Sequence, residues 1–68
     1  MDEIIFVIEE DIEEGYTARA LNYSIFTDGA TLQDLKNNIN DAVHCHFAEQ
    51  EMPKIVRMHF VRDEVFAL

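Results

Sequence analysis

The sequence lacks the cross-links that stabilise many very small domains. Cys45 is the only cysteine among 68 residues, so no disulfide can form within the chain. A chain of this length makes one domain and buries only about 60% of its unfolded surface, which leaves a marginal core. Small domains usually add disulfides, a metal or oligomerisation, and no metal-ligand set is evident. Residues 1–68 are therefore predicted to form a single domain that assembles as a homodimer or larger oligomer, or binds a partner tightly.

Basic side chains are also scarce. Fourteen acidic and five basic residues give a formal net charge of −9. Such a chain repels phosphates, which argues against direct binding to nucleic acid. A basic protein is the natural complement, because opposite fields speed encounter and suppress wrong contacts. Acidity that only keeps a small protein soluble is the alternative, and composition does not separate the two.

Long apolar runs and glycine-rich stretches are absent as well. No run is long enough to span a bilayer, and a predicted strand follows Met1 at once, which leaves little room for a signal peptide. The sequence therefore predicts a cytoplasmic protein without a membrane contact. The only glycines, Gly15 and Gly29, are too few for a phosphate-binding loop.

The strongest pattern that is present is an amphipathic helix over Thr31 to Gln50. Thr31 and Asp34 predict a capping box at its start, and Pro53 predicts that the helix cannot continue further. Apolar spacing predicts one buried stripe, with Phe47 at its edge. The residues of this stripe are Leu32, Leu35, Ile39, Ala42, Val43 and His46.

Four strands are predicted around this helix, at Glu3 to Glu10, Tyr16 to Leu21, Ser24 to Thr27 and Lys54 to Val61. The first strand is apolar on both faces, which is typical of a central strand. A three-strand meander followed by a right-handed crossover through the helix places the fourth strand beside the first. The predicted fold is α+β, in the order β-β-β-α-β, with a four-stranded sheet of order 3-2-1-4 and one helix packed on one face.

One helix can cover only one face of that sheet. The last strand alternates, so that Val56, Met58 and Phe60 are predicted to face inward. The opposite face is predicted to meet a second subunit or a partner, together with an apolar tail after the last strand. These candidate interface residues are Ile5, Val7, His59, Val61, Val65, Phe66 and Leu68.

An acidic segment separates the first two strands, and Gly15 offers a turn position there. It is interpreted as a solvated hairpin loop, and contact with a basic partner is the alternative. Its acidic residues are Glu9, Glu10, Asp11, Glu13 and Glu14. The spacing and the glycine of an EF-hand are missing, which argues against calcium.

The run His44-Cys45-His46 offers the only hint of chemistry. Neighbouring side chains on a helix diverge by about 100°, so these three cannot converge on one ion. His46 is predicted to be a core histidine bonded to a backbone carbonyl or to water. Cys45 has no basic neighbour except the flanking histidines, which argues against a Cys–His catalytic pair. The sequence therefore predicts no catalytic, metal or cofactor-binding residues and no enzymatic activity.

The segment GYTARAL followed by SIFTDGATLQDLKNNINDAV resembles the core of the HicB-like antitoxin family. The resemblance covers nearly the whole chain, and its motifs are turn and packing residues. Leu21-Asn22-Tyr23 departs from the family, which commonly has a proline–glycine turn at this point. The matching positions are Gly15, Tyr16, Thr27, Gly29, Thr31, Leu32, Leu35, Asp41 and Ala42.

The resemblance implies a partial RNase H-like fold with the strand order predicted above. It also implies an antitoxin role, in which the protein binds and neutralises a small basic HicA-type toxin that cleaves mRNA. Typical members carry a further C-terminal DNA-binding domain. Because this chain stops at Leu68, a short single-domain member without DNA binding is expected. The alternative is a self-associating orphan domain with a structural or regulatory role and no toxin partner.

Overall fold

The computed structural model describes residues 2–68, which contain four strands and one α-helix. The sheet order is β3-β2-β1-β4. β1 pairs antiparallel with β2 and parallel with β4, and β2 pairs antiparallel with β3. The elements are β1 (Glu3–Asp11), β2 (Gly15–Ala20), β3 (Phe26–Gly29), α1 (Leu32–His46), a short 3₁₀ turn (Glu49–Glu51) and β4 (Ile55–Val61). The predicted α+β fold and its strand order are confirmed.

The core lies between β1, β2 and α1. Phe6 at the centre of β1 is fully buried against the helix. Ala18 and Ala20 are also buried on this face of β2, and their small side chains let α1 approach the sheet closely. Burial of each large side chain contributes about 1.5–3 kcal/mol. The buried cluster consists of Ile4, Phe6, Ile8, Ala18, Ala20, Ile25, Leu35, Ile39 and Val43.

The helix is shorter than the sequence pattern predicts. At its start, the side-chain Oγ1 of Thr31 accepts a hydrogen bond from the backbone N–H of Asp34 at 3.1 Å, so the predicted cap is present. Its end is His46, because Phe47 already has an extended backbone. The extension to Gln50 was therefore wrong, and Pro53 lies too far along the chain to be what stops the helix.

The buried stripe of α1 is also narrower than predicted. Only Leu35, Ile39 and Val43 are fully buried, and Ala42 is half-buried. Leu32 in the first turn is 39% exposed, and His46 in the last turn is exposed. Both lie one turn beyond the buried residues, where the helix ends are no longer covered by the sheet. The prediction of a core histidine at position 46 was therefore wrong.

Two glycines permit a close approach of three elements at one end of the sheet. Gly15 opens β2 with φ +93, in the left-handed region that favours glycine. A Cβ placed there would clash with the backbone of Gly29 and Ala30. A Cβ on Gly29 would clash with the backbone of Leu35 in the first turns of α1. The hairpin end, the end of β3 and the start of the helix are therefore packed backbone against backbone.

The connection from β2 to β3 is longer than predicted. Asn22 has the left-handed conformation expected of a tight turn, with φ 67. Ile25 then enters the core, and its carbonyl accepts a hydrogen bond from the N–H of Ala20 at 3.0 Å. The third strand consequently begins at Phe26 and runs through Gly29, two residues later than the predicted Ser24 to Thr27. Within residues 2–68, no helix is both long and apolar enough to cross a bilayer.

Candidate protein-binding surface

The acidic hairpin, defined here as Glu9–Glu14, consists of the last three residues of β1 and the three-residue turn that leads to β2. β1 thus continues into the segment that the sequence predicted to be a loop. The carboxylate Oδ1 of Asp11 accepts hydrogen bonds from the backbone N–H groups of Glu13 at 2.8 Å and Glu14 at 3.2 Å. This is the local hydrogen bonding by which aspartate favours turns. Asp11 therefore holds the shape of the hairpin, a role that the sequence prediction did not separate from those of its acidic neighbours.

The other carboxylates of the acidic hairpin are exposed to solvent. Four like charges lie at the end of β1 and in the turn that follows it, on Glu9, Glu10, Glu13 and Glu14. Ile12 stands among them at the tip and is fully exposed. Carboxylates surrounding an accessible apolar side chain suit a partner that offers basic side chains together with an apolar contact.

The acidic hairpin lies beside the end of β4. Because β1 and β4 are parallel, their carboxyl ends meet at one end of the sheet, and Glu9 is in register with Val61. An open cleft of about 670 Å³ lies here. Its volume is that of a small-ligand site, but a mainly apolar lining is usual in such sites. This cleft is instead lined by charged residues with two aliphatic ones, which suits basic side chains of a protein: Glu9, Glu10, Ile12, Val61, Arg62 and Asp63.

The sheet face opposite α1, called the open face, brings together four of the predicted interface residues. Val7 of β1 is in register with His59 of β4 on one side and with Arg19 of β2 on the other. Ile5 and Val7 are half-buried, while His59 and Val61 are exposed. Val61 joins this face to the acidic hairpin through its neighbour Glu9. The two predicted surfaces are therefore continuous.

The predicted tail residues lie apart from the sheet. Residues 62–68 form no helix or strand. Val65 is 93% exposed and Phe66 is 78% exposed, and Leu68 is fully exposed. The tail and the open face are therefore separate surfaces, although the sequence hypothesis grouped them in one interface.

An ion pair spans β1 and β4 on the open face. The guanidinium Nε of Arg57 donates to Oε1 of Glu3, and its Nη2 lies 3.5 Å from Oε2. The hydrogen bond from Arg57 lowers the pKa of the Glu3 carboxyl below its usual value, and the same bond raises the pKa of Arg57. The pair neutralises the charged residue of β4. Sequence alone gave no signal for it, because it depends on the parallel register of the two strands.

The helix-side face of β4 is more exposed than predicted. Val56 is 38% exposed and Phe60 is 50% exposed, although both lie on the same side of the sheet as α1. An open groove of about 240 Å³ separates the helix from this strand. The prediction that these residues face inward gave the correct face, but no layer covers them. The groove is lined by Lys36, Ile39, Asn40, Val56 and Met58.

The His44-Cys45-His46 run is exposed near the end of α1. His44 Nδ1 lies 2.7 Å from the carbonyl oxygen of Asn40, one turn earlier. His46 stands edge-on to Phe47, with ring centroids 4.8 Å apart, and to Tyr23, at 5.9 Å. Its ring is therefore exposed at the edge of the core, where Tyr23 and Phe47 pack against the buried residues. In the part of the chain that the structure describes, no three His, Cys, Asp or Glu residues are placed to hold a metal ion.

The fold and these surfaces define a small α+β domain with an acidic end, an open sheet face and an uncovered fourth strand. The chain is similar in length and sequence to proteins of two organisms. A UPF0150 protein of Archaeoglobus fulgidus is 53% identical over 55 residues, which cover 81% of this chain and 82% of the relative. A UPF0150 protein of Thermotoga maritima is 42% identical over 66 residues, which cover 97% of this chain and 93% of the relative.

This chain therefore belongs to the UPF0150 family. The name of these relatives states neither an activity nor a partner. No model of a known protein family matches the chain, and no solved structure matches it.

Proposed function

We propose that this protein is a non-enzymatic protein-binding module of the antitoxin type. Its partner is a small basic RNA-cleaving protein of the HicA type, as the resemblance to HicB-like antitoxins implies. The observation that carries the proposal is the acidic hairpin, where four exposed carboxylates surround the exposed Ile12 beside the open cleft.

Such a partner needs a basic surface for its own activity. A protein that cleaves RNA must present basic side chains to the phosphate backbone. The carboxylates of the acidic hairpin compete for those side chains, and the net charge of −9 steers a basic protein toward this one. Neutralisation then follows from occupancy, because the bound hairpin covers the surface that RNA would use.

The test begins with the tagged protein in lysate of its host, captured at low and high salt. We expect a small basic protein in near-equal amount, released by salt, whose RNA cleavage is suppressed when this protein is added back. Glu13→Gln combined with Glu14→Gln should weaken that complex about tenfold, since two charges of the contact are lost. Cleavage should then return at concentrations where the wild type still inhibits.

A matched control removes two charges elsewhere. Glu49→Gln combined with Glu51→Gln changes net charge equally, but both residues lie in the 3₁₀ turn that precedes β4. We expect little change in affinity for this variant. Equal weakening by both variants would reject the hairpin as the contact. A captured protein without RNA cleavage would reject the toxin partner.

Self-association without a toxin is the second candidate function. The observation that favours it is the exposed apolar surface of β4 and the tail. This surface suits another apolar surface and not the basic side chains that the acidic hairpin would attract. Recovery of the tagged protein alone, as a discrete oligomer, would favour this candidate over the first.

A further inference from the structure

The outer edge of β4 has backbone groups available for another strand. The N–H of Ile55 donates to the carbonyl of Asp2 at 3.0 Å, so Ile55 points its backbone toward β1. Alternate residues of a strand point opposite ways, which directs the N–H and C=O groups of Val56, Met58 and Phe60 away from β1. Within residues 2–68, no strand pairs with that side.

The side chains of this edge do not protect it. Natural edge strands are usually guarded by lysine, proline, a bulge or short length. β4 is seven residues long and contains no proline, and its charged residue Arg57 is paired with Glu3. Apolar side chains are exposed on both of its faces, with Ile55 at 56% and Phe60 at 50%.

The tail extends this apolar strand beyond the body of the protein. The longest dimension is 52 Å, against 19 and 17 Å for the other two. The longest strand, β1, has nine residues and accounts for only about 30 Å. The radius of gyration is 13.4 Å, where about 11 Å is typical of a compact chain of this length. Residues 62–68 therefore project outward and do not fold back on the sheet.

We propose that β4 pairs antiparallel with β4 of a second copy, about a two-fold axis through His59, to form one eight-stranded sheet. Such an axis is perpendicular to the sheet and leaves both helices on the same side. Met58 then lies opposite Phe60 of the second copy. The inference is independent of the proposed toxin partner, because the acidic hairpin and the open face stay accessible.

The charges of side chains that would lie opposite each other favour this register over those shifted by one residue, centred on Met58 or Phe60. Centred on His59, the pairing places Lys54 opposite Glu64 of the second copy and Met52 opposite Phe66. Centred on Met58, it would place Lys54 opposite Arg62, and like charges directly across strands are unfavourable. Centred on Phe60, it would place Lys54 opposite the apolar Phe66. It would also place Arg57 opposite Asp63, but Arg57 is already paired with Glu3. Only the register centred on His59 places an acidic side chain opposite Lys54.

The tail supplies area that β4 alone lacks. A standard protein interface buries about 800 Å² per partner, more than one seven-residue strand edge offers. Beyond the hydrogen-bonded strands, side-chain contact of each tail with residues 52–54 of the other copy extends the interface to about 15 residues per chain. This part is a contact of side chains, since the N–H groups of Met52 and Lys54 are already bonded to Glu49 and Asp2. It also covers Val65 and Phe66, which are 93% and 78% exposed in a single copy.

Sedimentation equilibrium of the whole chain tests the assembly. The wild type is expected at twice its mass of 7.9 kDa. Phe60→Lys places a charge at the seam and should raise the dimer dissociation constant at least tenfold. Phe26→Lys is the matched control, since Phe26 is 67% exposed on the opposite edge strand, and it should leave that constant unchanged.

A wild type that is monomeric throughout, or a dimer that Phe60→Lys does not weaken, would overturn the proposal. Disruption by Ile5→Asp alone would assign the contact to the open face.

Cross-linking tests the register, and it does not require that the fold tolerate the Phe60→Lys substitution. In a Cys45→Ser background, His59→Cys places two thiols at the two-fold axis. Directly opposed Cα atoms of a non-hydrogen-bonded antiparallel pair lie about 4.5 Å apart, within disulfide reach. We expect dimers to cross-link under mild oxidation with His59→Cys, and little with Phe26→Cys. Preferential cross-linking at Met58→Cys or Phe60→Cys would overturn the register, and none along β4 would overturn the pairing.

Discussion

The two edges of the sheet differ in almost every respect that governs whether another strand can add to them. β3 has four residues, its last residue Gly29 is buried under α1, and it carries the charge of Asp28. The side-chain amide of Asn38 on the helix also donates to the Asp28 carbonyl at 2.7 Å. β4 has seven residues, and its side chains are exposed on both faces except at Met58, which is half-buried.

The position of the single helix explains the difference. An α-helix is about 10 Å wide, and four strands at about 4.8 Å spacing make a wider sheet, so one helix cannot cover all four. Ala18, Ala20 and Gly29 offer small surfaces on β2 and β3, and the backbone of α1 lies closest to β3. β4 is left without cover as a result. The small residues that secure one edge thus leave the other available for contact.

The largest expected effect comes from disturbing the secured edge. Gly29→Ala places a methyl group against the backbone of Leu35, and neither backbone can yield without separating α1 from β3. We expect the free energy of unfolding to fall by about 2–3 kcal/mol, near the upper end for an overpacked site, because the contact is between backbones. Urea unfolding followed by circular dichroism measures it.

Asp28→Ala is the control for that measurement. It changes the neighbouring exposed residue of the same short strand and should shift the free energy of unfolding by about 0.5 kcal/mol or less. If Gly29→Ala were as mild as Asp28→Ala, the close contact between the helix and β3 would be wrong.

A smaller effect is expected from the hydrogen bond that joins the helix to this edge. Asn38→Ala removes the donor to the Asp28 carbonyl, and a neutral hydrogen bond of this kind contributes about 1 kcal/mol. Asn37→Ala serves as the comparison, because Asn37 accepts only an exposed side-chain contact from Gln33 at 3.2 Å. Thermal unfolding should separate the two variants by several degrees. Equal melting temperatures would mean that the edge is held by packing alone.

The sequence predicted the fold because its largest signals agree with one another. β1 is apolar on both faces, and the crossover rule places it at the centre of the sheet. Element ends were predicted less well. The helix end was set one turn too late because Pro53 was the nearest visible stop, whereas the chain leaves helical geometry at Phe47. His46 fitted the apolar period, but its turn lies beyond the cover of the sheet.

The candidate surface was predicted in part for a related reason. The acidic segment was evident from the sequence, whereas its position beside Val61 depends on the register of β1 and β4 in the structure. The turn-forming role of Asp11 did have a sequence signal, because an aspartate carboxylate in a turn often accepts a hydrogen bond from the backbone N–H two residues further along. The exposure of Val56 and Phe60 had none, because alternation gives the face of a side chain but not the width of the layer above it.

The smallest expected effect concerns the charge on the uncovered edge. Arg57 lowers the pKa of Glu3 below its usual value of 4.5, so the pair stabilises the folded protein above that pH and loses its effect as the pH falls through the lowered pKa. Glu3→Gln should therefore melt slightly below the wild type at pH 7, and the difference should close as the pH falls through the lowered pKa of Glu3. The difference at pH 7 should shrink in high salt, because the pair is exposed. Arg57→Gln should show the same pattern, since either change removes the pair. A difference that persists unchanged into acid would mean that Glu3 acts through packing, and that the one charge on β4 remains available to guard its edge.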